Sequence, residues 1–218
     1  MKTVILSAFK AFGDYPVNST EVIAKQLNGE VFSGFKVRSA IFSASIPQND
    51  HGVILRGLVG RFGAIAIVSM GMASEKKGLC VESVATNRIY NEKYCPRLNG
   101  TPVDGHMRYG ELREVDLLQW NISAFQRACR SEGIPVTEVS NDAGGFCCNH
   151  LMYQVLVAPI VWRGFRNVPF VFLHTPCSPE AVPDRDSFVR AGKITMTTAQ
   201  ITRGLELLLK HSSLDSAG

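Results

Sequence analysis

No stretch of this 218-residue chain approaches the about 20 consecutive apolar residues that a membrane-spanning helix needs. Low-complexity tracts, repeats at solenoid period and Pro/Gly/Ser-rich linkers are also missing, so the expectation is an ordinary soluble protein with one domain over 1–218. There is no Gly-X-Ser-X-Gly elbow, no phosphate-binding glycine loop and no dinucleotide fingerprint, and these absences remove the main competing enzyme classes. Lys and Arg number 23 against 19 Asp and Glu, a net charge of +4, yet they form no basic run or stripe with interleaved aromatics. Nucleic acid is not an expected partner, nor is a membrane.

Six cysteines are present without secretory features, which argues for reduced thiols in a cytoplasm and against a disulfide framework. The apolar run Met1–Phe9 is too short for a signal peptide and is followed by Lys10 and Asp14, so it reads as a first core strand. Strand-length apolar runs at Thr3–Ala8, Lys36–Ala44, Ala64–Met70, Val136–Ser140 and Val168–His174 alternate with helical periods. The helices are expected at Ser19–Leu27, Gly52–Arg61, Leu117–Glu132, Asn149–Trp162 and Asp186–Lys210. This alternation predicts an α/β sheet covered on both faces. Arg88–Asp116 has no clear period and reads as a long loop or hairpin excursion.

In such sheets ligands bind beyond the carboxyl ends of the strands. Polar clusters follow predicted strands at Ala8–Ser19, Gly71–Glu82, Asn141–Asn149 and His174–Pro176. Cys148 would then stand in the first turn of a helix starting after Gly144-Gly145, where free backbone N–H groups favour a thiolate and can hold an oxyanion. A nucleophile needs a base and the base an orienter, for which His174 and Glu82 are the candidates. By position alone, the favoured reading of His174 is a core or capping histidine, and that of Glu82 a helix-start carboxylate. A metal site at Cys147, Cys148 and His150 lacks zinc-ligand spacing, and the vicinal pair lacks the Cys-X-X-Cys redox spacing.

Three stretches resemble one family. Residues 140–153, Ser-Asn-Asp-Ala-Gly-Gly-Phe-Cys-Cys-Asn-His-Leu-Met-Tyr, are similar to the nucleophile segment of the pyroglutamyl peptidases. Phe172-Leu173-His174-Thr175-Pro176-Cys177-Ser178-Pro179-Glu180 is similar to that family's histidine segment, and Val81-Glu82-Ser83-Val84-Ala85-Thr86-Asn87 to its glutamate segment. The resemblance implies a three-layer α/β/α sandwich with a mostly parallel, mixed, twisted sheet. It also implies a cysteine exopeptidase that removes an N-terminal pyroglutamyl residue from peptides, needs no cofactor or metal, and forms a homodimer or homotetramer. Cys148, His174 and Glu82 take the catalytic positions, with Cys147 at a variable one. Phe9, Phe12, Asn18, Met72 and Phe146 fall at the pocket positions.

The supporting loops depart from the pattern. Ser7-Ala8-Phe9-Lys10-Ala11-Phe12-Gly13-Asp14 keeps both aromatics but loses two glycines and a proline, and Gly71-Met72-Ala73-Ser74-Glu75-Lys76 stands where the family has G-x-A-G-G-R. The family's arginine-bearing segment after the glutamate is replaced through Arg88–Arg97, and Arg88, Lys93 and Arg97 are equally open as stand-ins. These departures keep two alternatives open: action on another small lactam or acyl amide, or binding of pyroglutamyl ligands with little turnover.

Overall fold

The computed structural model describes residues 1–44, 50–161 and 168–214. Largely apolar strands assemble into a six-stranded sheet, in the order β2 (Val31–Phe32), β3 (Phe35–Phe42), β1 (Thr3–Phe9), β4 (Ala66–Met72), β8 (Phe170–Thr175) and β5 (Cys80–Glu82). The central strands β3, β1, β4 and β8 are parallel, while β2 and β5 run antiparallel at the two edges. A separate two-stranded sheet pairs β6 (Val84–Thr86) with β7 (Leu112–Glu114), the first just before and the second inside the Arg88–Asp116 stretch expected to be a loop or hairpin.

Period-two alternation divides the strand side chains between two cores. Val4, Leu6, Val68, Met70, Val171 and Leu173 face α1 (Ser19–Leu27), α3 (Ile122–Ser131) and α6 (Thr198–Lys210). Ile5, Phe9, Ile67, Phe170 and Phe172 face α2 (His51–Phe62) and α4 (Cys147–Val161). Helices thus cover both sides of a mixed, mostly parallel sheet, as expected. Among the described residues no helix is long and apolar enough to cross a membrane.

Three expected elements are corrected. Leu117–Glu132 is not one helix: Asn121, at φ 41°, separates a 3-10 turn at Leu118–Trp120 from α3. Asp186–Lys210 divides into α5 (Arg185–Arg190) and α6, because Gly192 turns the chain at φ 70° and a Thr197–Gln200 capping box starts a new helix. Val136–Ser140 is not a strand but two bridges beside β5. Between Leu79↔Val136 and Glu82↔Ser140 one chain advances three residues and the other four, so a one-residue bulge breaks the ladder. Trp162, at the end of one expected helix, lies outside the described residues. So do residues 215–218, while Leu214 just before them is buried.

Candidate active site

Because β1, β4 and β8 are parallel, their carboxyl ends open at the same edge of the sheet, and α4 begins there. The turn into α4 is built by its own residues. Gly144 takes φ 80°, its N–H donating to Asp142 Oδ1 at 2.9 Å. Gly145 lies so close to Tyr90 that a Cβ would sit 2.5 Å from the Tyr90 carbonyl oxygen. Asn149 then pins the helix to β6: its Oδ1 accepts from Thr86 N–H at 2.8 Å and its Nδ2 donates to the Thr86 carbonyl at 2.9 Å. Cys148 is therefore held in the first turn, where backbone N–H groups have no intrahelical acceptor.

His174 comes from β8, on the face shared with Phe170 and Phe172. In the ladder Gly71 of β4 lies opposite His174 on one side and Cys80 of β5 on the other. Glu82, two residues beyond Cys80, shares that face, and its Oε1 lies 2.7 Å from His174 Nδ1. Glu82 belongs to an edge strand, which corrects the helix-start reading. The absence of a side chain at Gly71 leaves Cys148 and His174 facing each other: a Cβ there would come within 2.7 Å of Cys148 Sγ and 3.2 Å of His174 Cδ2.

The electrostatics favour an ion pair. The neighbouring Cys147 thiol is the largest influence on Cys148 and, with the imidazolium beside it, brings that thiol down to about 5 against the effect of burial. Cys147 itself is pushed well above the ordinary thiol range by burial. Burial opposes a charged His174, but the Cys148 thiolate and the Glu82 carboxylate outweigh it and lift the ring to about 9. Burial likewise opposes ionised Glu82, whose hydrogen bonds from His174 and Lys76 still hold it below the usual carboxylate range. A thiolate and an imidazolium coexist across neutral pH.

Cys148 and His174 open onto a cavity of about 480 Å³ whose lining includes Phe9, Phe12, Asn18, Met72 and Phe146. The structure thus gathers every expected pocket residue there, with Glu82 behind His174 and off the cavity wall. Asn18 spends much of its amide on the chain itself: Oδ1 caps α1 at Thr20 N–H and Nδ2 donates to the Lys10 carbonyl at 3.3 Å. Among the lining residues that were not anticipated are Tyr15, Lys76, Tyr94 and Cys147. Tyr94 stacks on Phe146 at 5.3 Å and meets Phe12 edge-on at 5.8 Å, adding an aromatic wall. The Phe12-x-x-Tyr15 spacing was a usable sign; Tyr94 lies in an aperiodic loop and had none. His150 leaves the cysteines and faces His51, Nδ1 to Nδ1 at 3.1 Å. Of the three basic candidates, Arg88 lies over the Tyr90 ring, Lys93 over Tyr94 and Arg97 beside a neighbouring cavity. None of them lines this one.

Known proteins place this arrangement in a family. The pyrrolidone-carboxylate peptidase of Bacillus cytotoxicus is 29% identical over 215 residues, covering 96% of this chain and 92% of that relative. That of Streptococcus pneumoniae is 29% identical over 208 residues, covering 95% and 91%. The solved pyrrolidone carboxyl peptidase of Thermococcus litoralis superposes with a TM-score of 0.79 at 23% identity, covering 97% of this chain and 93% of that one. The pyroglutamyl peptidase I of Bacillus amyloliquefaciens gives 0.78 at 21%, covering 97% and 95%. These structures share the fold. The family model for pyroglutamyl peptidase matches residues 2–211, nearly the whole sheet and both helical layers together with the Cys148, His174 and Glu82 segments, and the chain accordingly belongs to the pyroglutamyl peptidase family of cysteine-type hydrolases.

Proposed function

We propose that this protein removes the N-terminal pyroglutamyl residue from peptides through Cys148, His174 and Glu82. The observation that carries the reading is a thiol at a helix N-terminus facing an imidazole whose Nδ1 is held 2.7 Å from a buried carboxylate. The Cys148 thiolate attacks the pyroglutamyl carbonyl carbon, forming an S–C bond and an oxyanion that backbone N–H groups of the first turn of α4 can hold. His174 gives its proton to the peptide nitrogen as the C–N bond breaks, which releases the shortened peptide and leaves a thioester. The neutral ring then takes a proton from water, whose oxygen attacks the thioester and frees 5-oxoproline and the thiolate. Glu82 keeps Nε2 turned toward the reaction and stabilises the imidazolium.

Phe9, Phe12 and Phe146 supply apolar walls for an uncharged lactam, with Asn18 and Met72 beside them. The added Tyr15 and Tyr94 favour a second reading, a preference for a different small lactam or acyl amide, which a panel of capped amides separates from the first. The single domain over 1–218, a homodimeric or homotetrameric state and a cytoplasmic location complete the proposal. The location is supported by all six cysteines being unpaired.

The experiment is hydrolysis of a fluorogenic pyroglutamyl amide across pH by the wild type and by Cys148→Ser. The free-enzyme profile of kcat/KM should be bell-shaped. Activity falls toward low pH as the Cys148 thiolate gains a proton near about 5, and toward high pH as His174 loses its own near about 9. Cys148→Ser should be inactive. Equal activity in Cys148→Ser removes the mechanism. Binding without turnover is tested by iodoacetamide at neutral pH, with rapid alkylation of Cys148 counting against it.

A further inference from the structure

One charged group at the site has no part in the steps above. Lys76, from the segment between β4 and β5, has its Nζ 2.5 Å from Glu82 Oε1, the same oxygen that meets His174 Nδ1 at 2.7 Å. It also reaches Ser140 Oγ at 3.3 Å and Cys80 Sγ at 3.6 Å. Glu82 is fully buried, and its Oε2 has no hydrogen-bond partner. Among the described residues Lys76 is the one Lys or Arg lining the cavity. From the loop, β5, β8 and α4 in turn, Lys76, Glu82, His174 and Cys148 form a row of alternating charge.

We infer that Lys76 is a positioning residue that acts through Glu82, setting the proton affinity of His174 and Cys148 and so the pH window of the reaction. This rests on the reading of Cys148, His174 and Glu82 as the catalytic groups. Two donors on one oxygen fix the carboxylate's orientation, and hence the direction of the imidazole. The ammonium also offsets part of the negative potential that Glu82 places on the ring. A ring less tightly bound to its proton is a better acid toward the leaving amine. The other titratable groups facing this row are Cys80 beside Lys76 and Cys147 beside Cys148, with Tyr15, Glu75, Tyr94 and Asp142 elsewhere on the cavity wall. Cys80 and Cys147 are both raised by burial and stay neutral in the working range. Glu75 is paired to Lys193.

Removing a cation raises the proton affinity of every nearby group, so both limbs must move in one direction. The test uses Lys76→Met, Lys76→Arg and Lys77→Met, the last at an exposed neighbour. Two quantities are read: the pH profile of kcat/KM on a pyroglutamyl amide, and the pH midpoint of Cys148 alkylation by iodoacetamide, which requires no turnover. In Lys76→Met both limbs and the alkylation midpoint should rise by about one pH unit. Lys76→Arg, which keeps the charge, should hold them at their native positions, as should Lys77→Met. An unmoved alkylation midpoint in Lys76→Met overturns the role of Lys76. So does an equal shift in Lys76→Arg. Absence of Cys148-dependent hydrolysis in the wild type overturns the catalytic reading instead, and the alkylation midpoint still decides whether Lys76 tunes the site.

Discussion

A methyl group at position 71 would stand between Cys148 and His174, 2.7 Å from the sulfur. Gly71→Ala should therefore keep the fold by circular dichroism and lose about 100-fold in kcat/KM, since a displacement of about 1 Å between reacting groups costs that much. Native activity in this variant would mean that the two groups do not act across that gap. The neighbouring Cys147 thiol is the strongest influence holding Cys148 below the usual thiol range. Cys147→Ala should raise the pH midpoint of Cys148 alkylation by about one unit, whereas Cys147→Ser, which retains a donor, should leave it near its native position. An unchanged midpoint in Cys147→Ala would remove that support. At this scale the nucleophile and histidine segments were readable, because residue types at fixed local spacing carry them. The contributions of Cys147 and Lys76 were not, because each depends on where one sulfur or one nitrogen points after folding.

Between elements, α2 and α4 meet through His51 and His150, both buried, ring nitrogen to ring nitrogen. Burial, joined at His51 by repulsion from His150, lowers His51 to about 3; burial lowers His150 to about 4. An unfolded histidine takes its proton near 6.5, so as pH falls below that value the unfolded chain binds protons that the folded chain refuses. Stability is then lost progressively from about pH 6.5 down to about pH 4 and then 3. At pH 5 each ring costs about 2 kcal/mol, about 4 kcal/mol for the pair as an order of magnitude. Urea unfolding of the wild type and of a His51→Gln/His150→Gln variant at pH 7 and pH 5 measures this. The wild type should lose about 4 kcal/mol more than the variant, and equal losses would show that the rings are not neutral in the fold. Element boundaries followed their periodicity closely at α1 and β1 and failed at 117–132 and 186–210. There Asn121 and Gly192 turn the backbone within an otherwise continuous apolar pattern.

Over the whole molecule, the sheet separates stability from chemistry. Leu214 is 1% exposed in the core under α1, α3 and α6, and its carbonyl accepts from Lys2 Nζ beside the start of β1, at the opposite end of that strand from the cavity. Leu214→Ala should lower the unfolding free energy by about 2–5 kcal/mol and leave kcat/KM at 25 °C unchanged, measured by urea denaturation and steady-state kinetics. A fall in kcat/KM with the protein still folded would show that this core and the site are coupled. The sequence by itself determined the α/β class, the order of most elements and the Cys148 and His174 segments, because hydrophobic period and motif spacing act over short stretches of chain. Only the tertiary structure decided that β5 runs antiparallel against β8, setting Glu82 behind His174 with Lys76 on the same oxygen. It alone brought Tyr94 to the cavity from a loop without period. Strand register and loop closure join residues about a hundred positions apart, and their energies come from burial and charge pairing that exist only once the layers have packed.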